Sequence, residues 1–190
     1  MNDEMERWEH KNGVRFLRKI GIRRGQTVLD FGAGVGHYSI PAAIIVGIRG
    51  RVYAIDKDHN DLNKLEQKAM FLNLVSIRII KTSGELQLDL KDKSIDAVLS
   101  YDVLHYLKKD ERKILYTEVH RVLKSNALLS IYPKHTAEDF PMWEFRNMRL
   151  TAVIEEIQDS GFIFEKKYCD KISHYNWLTQ GCIFNFKKIN

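Results

Sequence analysis

A short apolar run, Val28-Leu29-Asp30-Phe31, leads straight into Gly32-Ala33-Gly34-Val35-Gly36 and then into a stretch with helical spacing through Ile45. A strand, three alternating glycines and a helix in that order leave little choice of fold. Glycine tolerates positive φ and lets a ligand lie against bare backbone. The helix that follows opens with N–H groups that have no intrahelical partner. In open α/β sheets such a turn lies at the carboxyl edge of the strands, where ligands bind.

The rest of the 190 residues alternates in the same way. Arg51–Asp56 reads as a second strand, Val75–Ile80 as a third, Ile95–Ser100 as a fourth and Ala127–Tyr132 as a fifth. Between them Leu62, Leu65, Ala69 and Leu72, and later Leu115, Val119, Val122 and Leu123, fall at helical spacing. A helix with Leu150, Val153, Ile154 and Ile157 closes at Gly161. Alternation of this kind predicts a doubly wound α/β fold, a mostly parallel sheet with helices on both faces. Two strands then follow without a helix, Phe162–Tyr168 and about Cys182–Lys187, so one must run antiparallel. No linker or repeat interrupts the chain, which predicts one domain over 1–190. A helix within 1–20 caps it, and 133–148 and the aromatic segment 169–181 are expected as substrate-side loops.

Asp56, at the end of the second strand, is placed to accept both hydroxyls of a ribose. Hydrogen bonds to a charged acceptor contribute about 1.5–3 kcal/mol each. Glycines and Asp56 together predict an adenosine-containing ligand, either a dinucleotide or another adenosyl compound. The dinucleotide fingerprint G-x-G-x-x-G is not met, because His37 stands three places after Gly34. Tyr53 and Lys57 have the spacing of a short-chain dehydrogenase pair but lie on a strand, where they point differently from a helical pair.

D-F-G-A-G-V-G, with the acid one residue before the phenylalanine and glycines, resembles the first motif of class I S-adenosylmethionine-dependent methyltransferases. Gly21–Asp30 resembles the lead-in to that motif and Lys93–Ser100 the fourth-strand motif. Val103–Leu107 resembles the turn after it, Arg121–Lys124 the approach to the fifth strand and Ser160-Gly161-Phe162 the opening of the sixth. The pattern is similar to the small methylases of ubiquinone and menaquinone biosynthesis. The resemblance implies a Rossmann-like sheet of seven strands with one antiparallel, and S-adenosylmethionine as cofactor. It implies that Asp30 orients the methionine amino group and that Gly32, Gly34 and Gly36 admit the methionine, with His37 lining the cofactor. Asp56 would hold the ribose, Lys57 would flank the adenine, Gly84 and Glu85 would sit near the adenine amine, and Ser100 and Tyr101 would border the methionine. Asn126 stands where the family often has glycine; asparagine tolerates left-handed backbone.

Absences narrow the acceptor. After the fourth strand stands Ser100-Tyr101-Asp102-Val103, without the Pro-Pro-aromatic motif of exocyclic-amine methylases, and neither Cys169 nor Cys182 adjoins a proline. His105, just past that strand, is the candidate general base, because histidine exchanges protons near neutral pH. Tyr132, Lys134 and His135 follow the fifth strand as candidate substrate contacts. Phe140, Trp143 and Phe145 suit either an apolar lid or a helix on the core. The formal charge of +5 is spread over the chain rather than gathered into a groove. A small-molecule acceptor is therefore expected, with RNA or protein as the alternative, and a dehydrogenase or non-catalytic cofactor-binding module behind them. Two cysteines at this spacing suggest neither a disulfide framework nor a zinc site, and no metal is expected. The charged start and the lack of a long apolar run predict a cytoplasmic protein with no membrane span.

Overall fold

A computed structural model describes residues 3–189. The chain forms two compact units, Met1–Gly84 with Asp170–Gln180, and Glu85–Cys169 with Gly181–Asn190. Its strands make a seven-stranded sheet in the order β3-β2-β1-β4-β5-β7-β6, comprising β1 (Thr27–Phe31), β2 (Arg51–Asp56), β3 (Ile77–Lys81), β4 (Ile95–Tyr101), β5 (Leu123–Tyr132), β6 (Phe162–His174) and β7 (Trp177–Lys188). None of the described helices is long and apolar enough to cross a membrane.

In the first unit β1 pairs parallel with β2 and β2 with β3. Four of the five residues of β1 are buried, Asp30 among them. Helix α1 (Asp3–Arg7) runs through a π-helical turn, Trp8–Asn12, into α2 (Gly13–Ile20). Helix α3 (Ser39–Val46) is apolar on nearly every side and almost wholly buried, as expected of a helix hidden in a core. Helix α4 (His59–Phe71) is amphipathic, buries Leu62 and Leu65, and is capped by Asp58, which accepts the N–H groups of Asn60 and Asp61.

In the second unit β4 and β5 pair parallel, and β7 runs antiparallel to β5. Helix α5 (Lys109–Val122) passes directly into β5, which starts at Leu123, four residues before its expected first residue. The register shifts along that stretch, and Asn126 takes φ 58°, the left-handed conformation expected of it. Helix α6 (Leu150–Gln158) lies where the periodicity put it.

The ending differs from the sequence reading. Strands β6 and β7 extend far beyond Tyr168 and Cys182 and meet at Tyr175-Asn176, so most of 169–181 is a two-stranded ribbon rather than an irregular loop. The cysteines, whose spacing suggested no disulfide framework, are joined in a disulfide. Facing positions on neighbouring antiparallel strands bring two such side chains within bonding reach.

Candidate functional site

The glycine turn sits between β1 and α3 in the first unit. Gly32, Gly34 and Gly36 all have positive φ. Two of them have opposite surroundings. A Cβ on Gly36 would come within 2.3 Å of the Leu65 side chain, so this glycine lets α4 close onto the turn. A Cβ on Gly34 would meet nothing within 4 Å. That open side is where a ligand can approach bare backbone.

Two carboxylates flank the turn. Asp56 Oδ2 accepts the Gly34 N–H at 2.8 Å and Oδ1 accepts the Asp58 N–H at 2.9 Å. Each carboxylate oxygen has two lone-pair sites, so both keep acceptor capacity. Asp30 is buried and takes the Ser39 hydroxyl at 2.6 Å. Burial pushes its carboxyl up to about 7; the Ser39 bond works against that rise and the charge of Asp56 adds to it. A buried acid of this kind is poised to ionise when a cation arrives. Without one its ionisation costs the fold, so this group's contribution to stability declines as pH rises from its unfolded value near 4 towards 7.

His37 opens the segment before α3. Its Nδ1 lies 2.7 Å from Glu9 Oε1 and its Nε2 3.2 Å from Asn176 Oδ1. Its carbonyl accepts the Trp8 indole N–H at 2.8 Å. Glu9 also accepts from Lys68 Nζ at 2.7 Å. Burial alone would raise the Glu9 carboxyl, but the bonds from His37 and Lys68 hold it below its ordinary value. The N-terminal segment is thereby fastened to the glycine turn through Trp8 and Glu9, while His10 stays exposed.

In the second unit the end of β4 carries a different group. The Ser100 hydroxyl is buried with no hydrogen-bond partner among the described residues. The Tyr101 hydroxyl shares a 2.7 Å bond with Ser130. Asp102 follows in the left-handed conformation, φ 61°. Its Oδ1 lies 3.8 Å from His105 Nδ1 and 3.8 Å from His135 Nε2. His135 Nδ1 sits 3.0 Å from the Phe140 carbonyl, which can only accept. Nδ1 is therefore the donor of that bond. The His105 ring stacks on Trp143 at 4.9 Å and 22° and adjoins Tyr106. His135, Phe140 and Trp143 also have positive φ, an uncommon conformation for such side chains. Strained backbone of this sort gathers at ligand sites.

Residues 29–131 match the family model described as methyltransferase domain. The chain belongs to that family. Among curated proteins it is 36% identical over 69 residues to a probable cobalt-precorrin-6B C(15)-methyltransferase of Saccharolobus solfataricus, covering 36% of this chain and 34% of that protein. It is 30% identical over 112 residues to the demethylmenaquinone methyltransferase of Geobacillus stearothermophilus, covering 59% and 47%. The match thus spans between a third and a half of these relatives' length. A crystal structure of a SAM-dependent methyltransferase from Aquifex aeolicus superimposes with TM-score 0.77 at 24% identity, covering 97% of this chain and 93% of that one. At that identity the likeness speaks for the fold.

Within this methyltransferase domain the first unit places Asp30, Gly32, Gly34, Gly36 and His37 around the turn between β1 and α3, with Asp56 bonded to the Gly34 N–H. Lys57 is exposed beyond Asp56. Gly84, φ 111°, is exposed beside Glu85 and donates its N–H to the Thr82 hydroxyl. The second unit holds Ser100, Tyr101 and His105 at the end of β4. Lys134 is committed to Asp139, with Nζ 2.6 and 2.8 Å from its two oxygens. The aromatic stretch divides: Phe145 is buried, whereas Phe140 and Trp143 are exposed.

Two charged centres escaped the sequence reading. Glu9 looked like one more charge in a charged helix. Arg112 was not singled out in α5, yet its guanidinium is buried. It binds both oxygens of Glu156, donates to the Leu107 carbonyl, and covers the Phe145 ring at 5.0 Å. Only its fit to the apolar spacing of α5, three residues before Leu115, hinted that it faces inward.

Proposed function

We propose that this protein is an S-adenosylmethionine-dependent methyltransferase of a small-molecule acceptor and that it works in the cytoplasm. The observation that carries the reading is the glycine turn with its open side at Gly34, flanked by a buried Asp30 near neutrality and by Asp56. A sulfonium amino acid bears an ammonium for the first acid and a ribose for the second. The cofactor residues proposed are Asp30, Gly32, Gly34, Gly36, His37, Asp56, Lys57, Gly84, Glu85, Ser100 and Tyr101. The orphaned Ser100 hydroxyl supports the inclusion of β4. Relatives named as methylases of cobalt-precorrin-6B and demethylmenaquinone support a small acceptor.

The bound sulfonium supplies an activated methyl group, so the protein needs no electrophile of its own. Asp30, as its carboxylate, would hold the ammonium. The turn's bare backbone receives the amino-acid portion, and the remaining lone pairs of Asp56 hold the ribose hydroxyls. The protein's remaining task would be to align the acceptor atom with that methyl group and to keep water out. On the acceptor side we assign proton removal to His105, with Asp102 and His135 beside it, and shielding from water to Trp143.

The Asp30 carboxyl sets a pH dependence. Binding of an ammonium selects the carboxylate, so affinity for S-adenosylhomocysteine is expected to be full above pH 8 and about tenfold weaker at pH 6. Calorimetric titration across that range tests it; a flat profile would remove Asp30 from the ammonium. For the reaction, fractions of a cell extract are screened for S-adenosylhomocysteine release. Turnover is expected with the small-molecule fraction, and turnover with RNA or protein alone would contradict the acceptor class. Once an acceptor is in hand, His105→Ala is expected to slow transfer by about 10²–10⁴ with cofactor affinity unchanged. Equal loss of both would make His105 structural.

A further inference from the structure

The two cysteines of the chain are bonded to each other, and their position is informative. The chain leaves the second unit after Cys169 and returns to it at Gly181. The disulfide joins Cys169 to Cys182, closing the whole excursion, residues 170–181, into a covalent loop. In the first unit the ribbon buries Ile172, Ser173 and His174, and four of its bonds lead to α1–α3 and the glycine turn. The Tyr38 hydroxyl donates to the Ser173 carbonyl at 2.7 Å, and Asn176 meets His37. Lys171 pairs with Glu4 and Lys19 with Asp170.

A lone two-stranded ribbon is barely stable in water. This one also turns through Tyr175 at φ 50°, a conformation that is unfavourable for a tyrosine. Ile172, Ser173 and His174 are buried, but the tip at 175–177 is exposed, and the two ion pairs are exposed and weak in solution. A cross-link at its root removes most of the alternative conformations of the loop. Cys169 is exposed on β6, the edge strand of the sheet, and Cys182 is half-buried. A thiolate can reach the outer sulfur directly.

We propose that the Cys169–Cys182 bond is a redox switch on cofactor binding. It regulates the glycine-turn site and so rests on the cofactor reading given above. With the bond formed, the ribbon is ordered and Asn176 and Ser173 hold His37 and Tyr38, keeping the turn in its binding shape. Reduction by a dithiol opens it. The reductant's thiolate attacks the Cys169 sulfur and expels the Cys182 thiolate, which takes up a proton. The reductant's second thiol then displaces Cys169, leaving two protein thiols and an oxidised, cyclic reductant. The freed ribbon frays and the turn loses those two props. Disulfides in reducing compartments are commonly transient and redox-sensing, which fits this role.

Calorimetry with S-adenosylhomocysteine on the disulfide form and on protein treated with dithiothreitol tests the switch, with thiols counted before each titration. Affinity is expected to fall about tenfold on reduction, as when the binding-competent state drops to about a tenth. The Cys169→Ser/Cys182→Ser variant should match the reduced form and ignore dithiothreitol. Amide hydrogen exchange over 170–181 should speed up in both. Equal affinity in the two redox states would overturn the switch while leaving the cofactor reading standing. Absence of binding in either state would overturn the cofactor reading and the switch with it. Two free thiols after air oxidation would refute the switch alone.

Discussion

Asp56→Ala is expected to weaken S-adenosylhomocysteine binding by roughly 10²–10⁴-fold while the protein stays folded. Two hydrogen bonds from ribose hydroxyls to a charged acceptor contribute roughly 1.5–3 kcal/mol each, and every 1.4 kcal/mol is about tenfold in affinity. The carboxylate has a second task, since its Oδ2 fixes the Gly34 N–H and Oδ1 the Asp58 N–H. Losing those bonds loosens the turn and adds to the effect on binding. It costs the fold little, because Asp56 is only part-buried and the freed N–H groups can reach water. Asp56→Asn, which keeps shape and one acceptor, should fall between the two. Titration calorimetry measures this directly, and unchanged affinity in the alanine variant would remove the ribose from Asp56.

The largest effect on stability is expected at Arg112. Replacing it with alanine should destabilise the protein by about 3–5 kcal/mol, since breaking a buried ion pair strands the remaining charge. For a chain of this size that corresponds to a fall in Tm of roughly 6–20 °C. The guanidinium ties α5 to α6 through Glu156, caps the Leu107 carbonyl after the His105 turn, and covers Phe145. One substitution therefore loosens both the helix pair and the base of the aromatic segment. In the double variant Arg112→Ala/Glu156→Ala part of the loss should return, because no charge is left uncompensated. Denaturant melts of the three variants decide it. A loss below about 1 kcal/mol for Arg112→Ala would mean that the pair is solvated like a surface bridge.

The central elements were legible because their signals are local. A run such as Thr27–Phe31 announces a buried strand, the glycines after it announce a turn, and the spacing of Leu62 and Leu65 announces a helix face. Asp30 and Asp56 could be placed because each ends or nearly ends a strand that the pattern defines. Contacts distant in sequence were illegible. Arg112 and Glu156 lie on different helices, and nothing near either residue says that they meet. Glu9 is surrounded by other charges in sequence, yet unlike Glu6, Arg7 and Lys11 it is buried, bonded to His37 and Lys68. The reach of β6 and β7 was underestimated because their outer halves carry polar and aromatic residues on both faces, which breaks the apolar alternation used to read strands. The disulfide followed from the same oversight: once the ribbon is extended, Cys169 and Cys182 face each other. Phe145 and Trp143 stand two residues apart in one short turn, and only the tertiary fold decides that the first is core and the second is exposed.

Calorimetric titration of the wild-type protein with S-adenosylhomocysteine, run beside an identical titration with NADH, is the most direct measure of what the glycine turn holds. One equivalent of the homocysteine compound should bind saturably and NADH should give no binding heat. Binding of NADH alone, or of neither, would contradict the account.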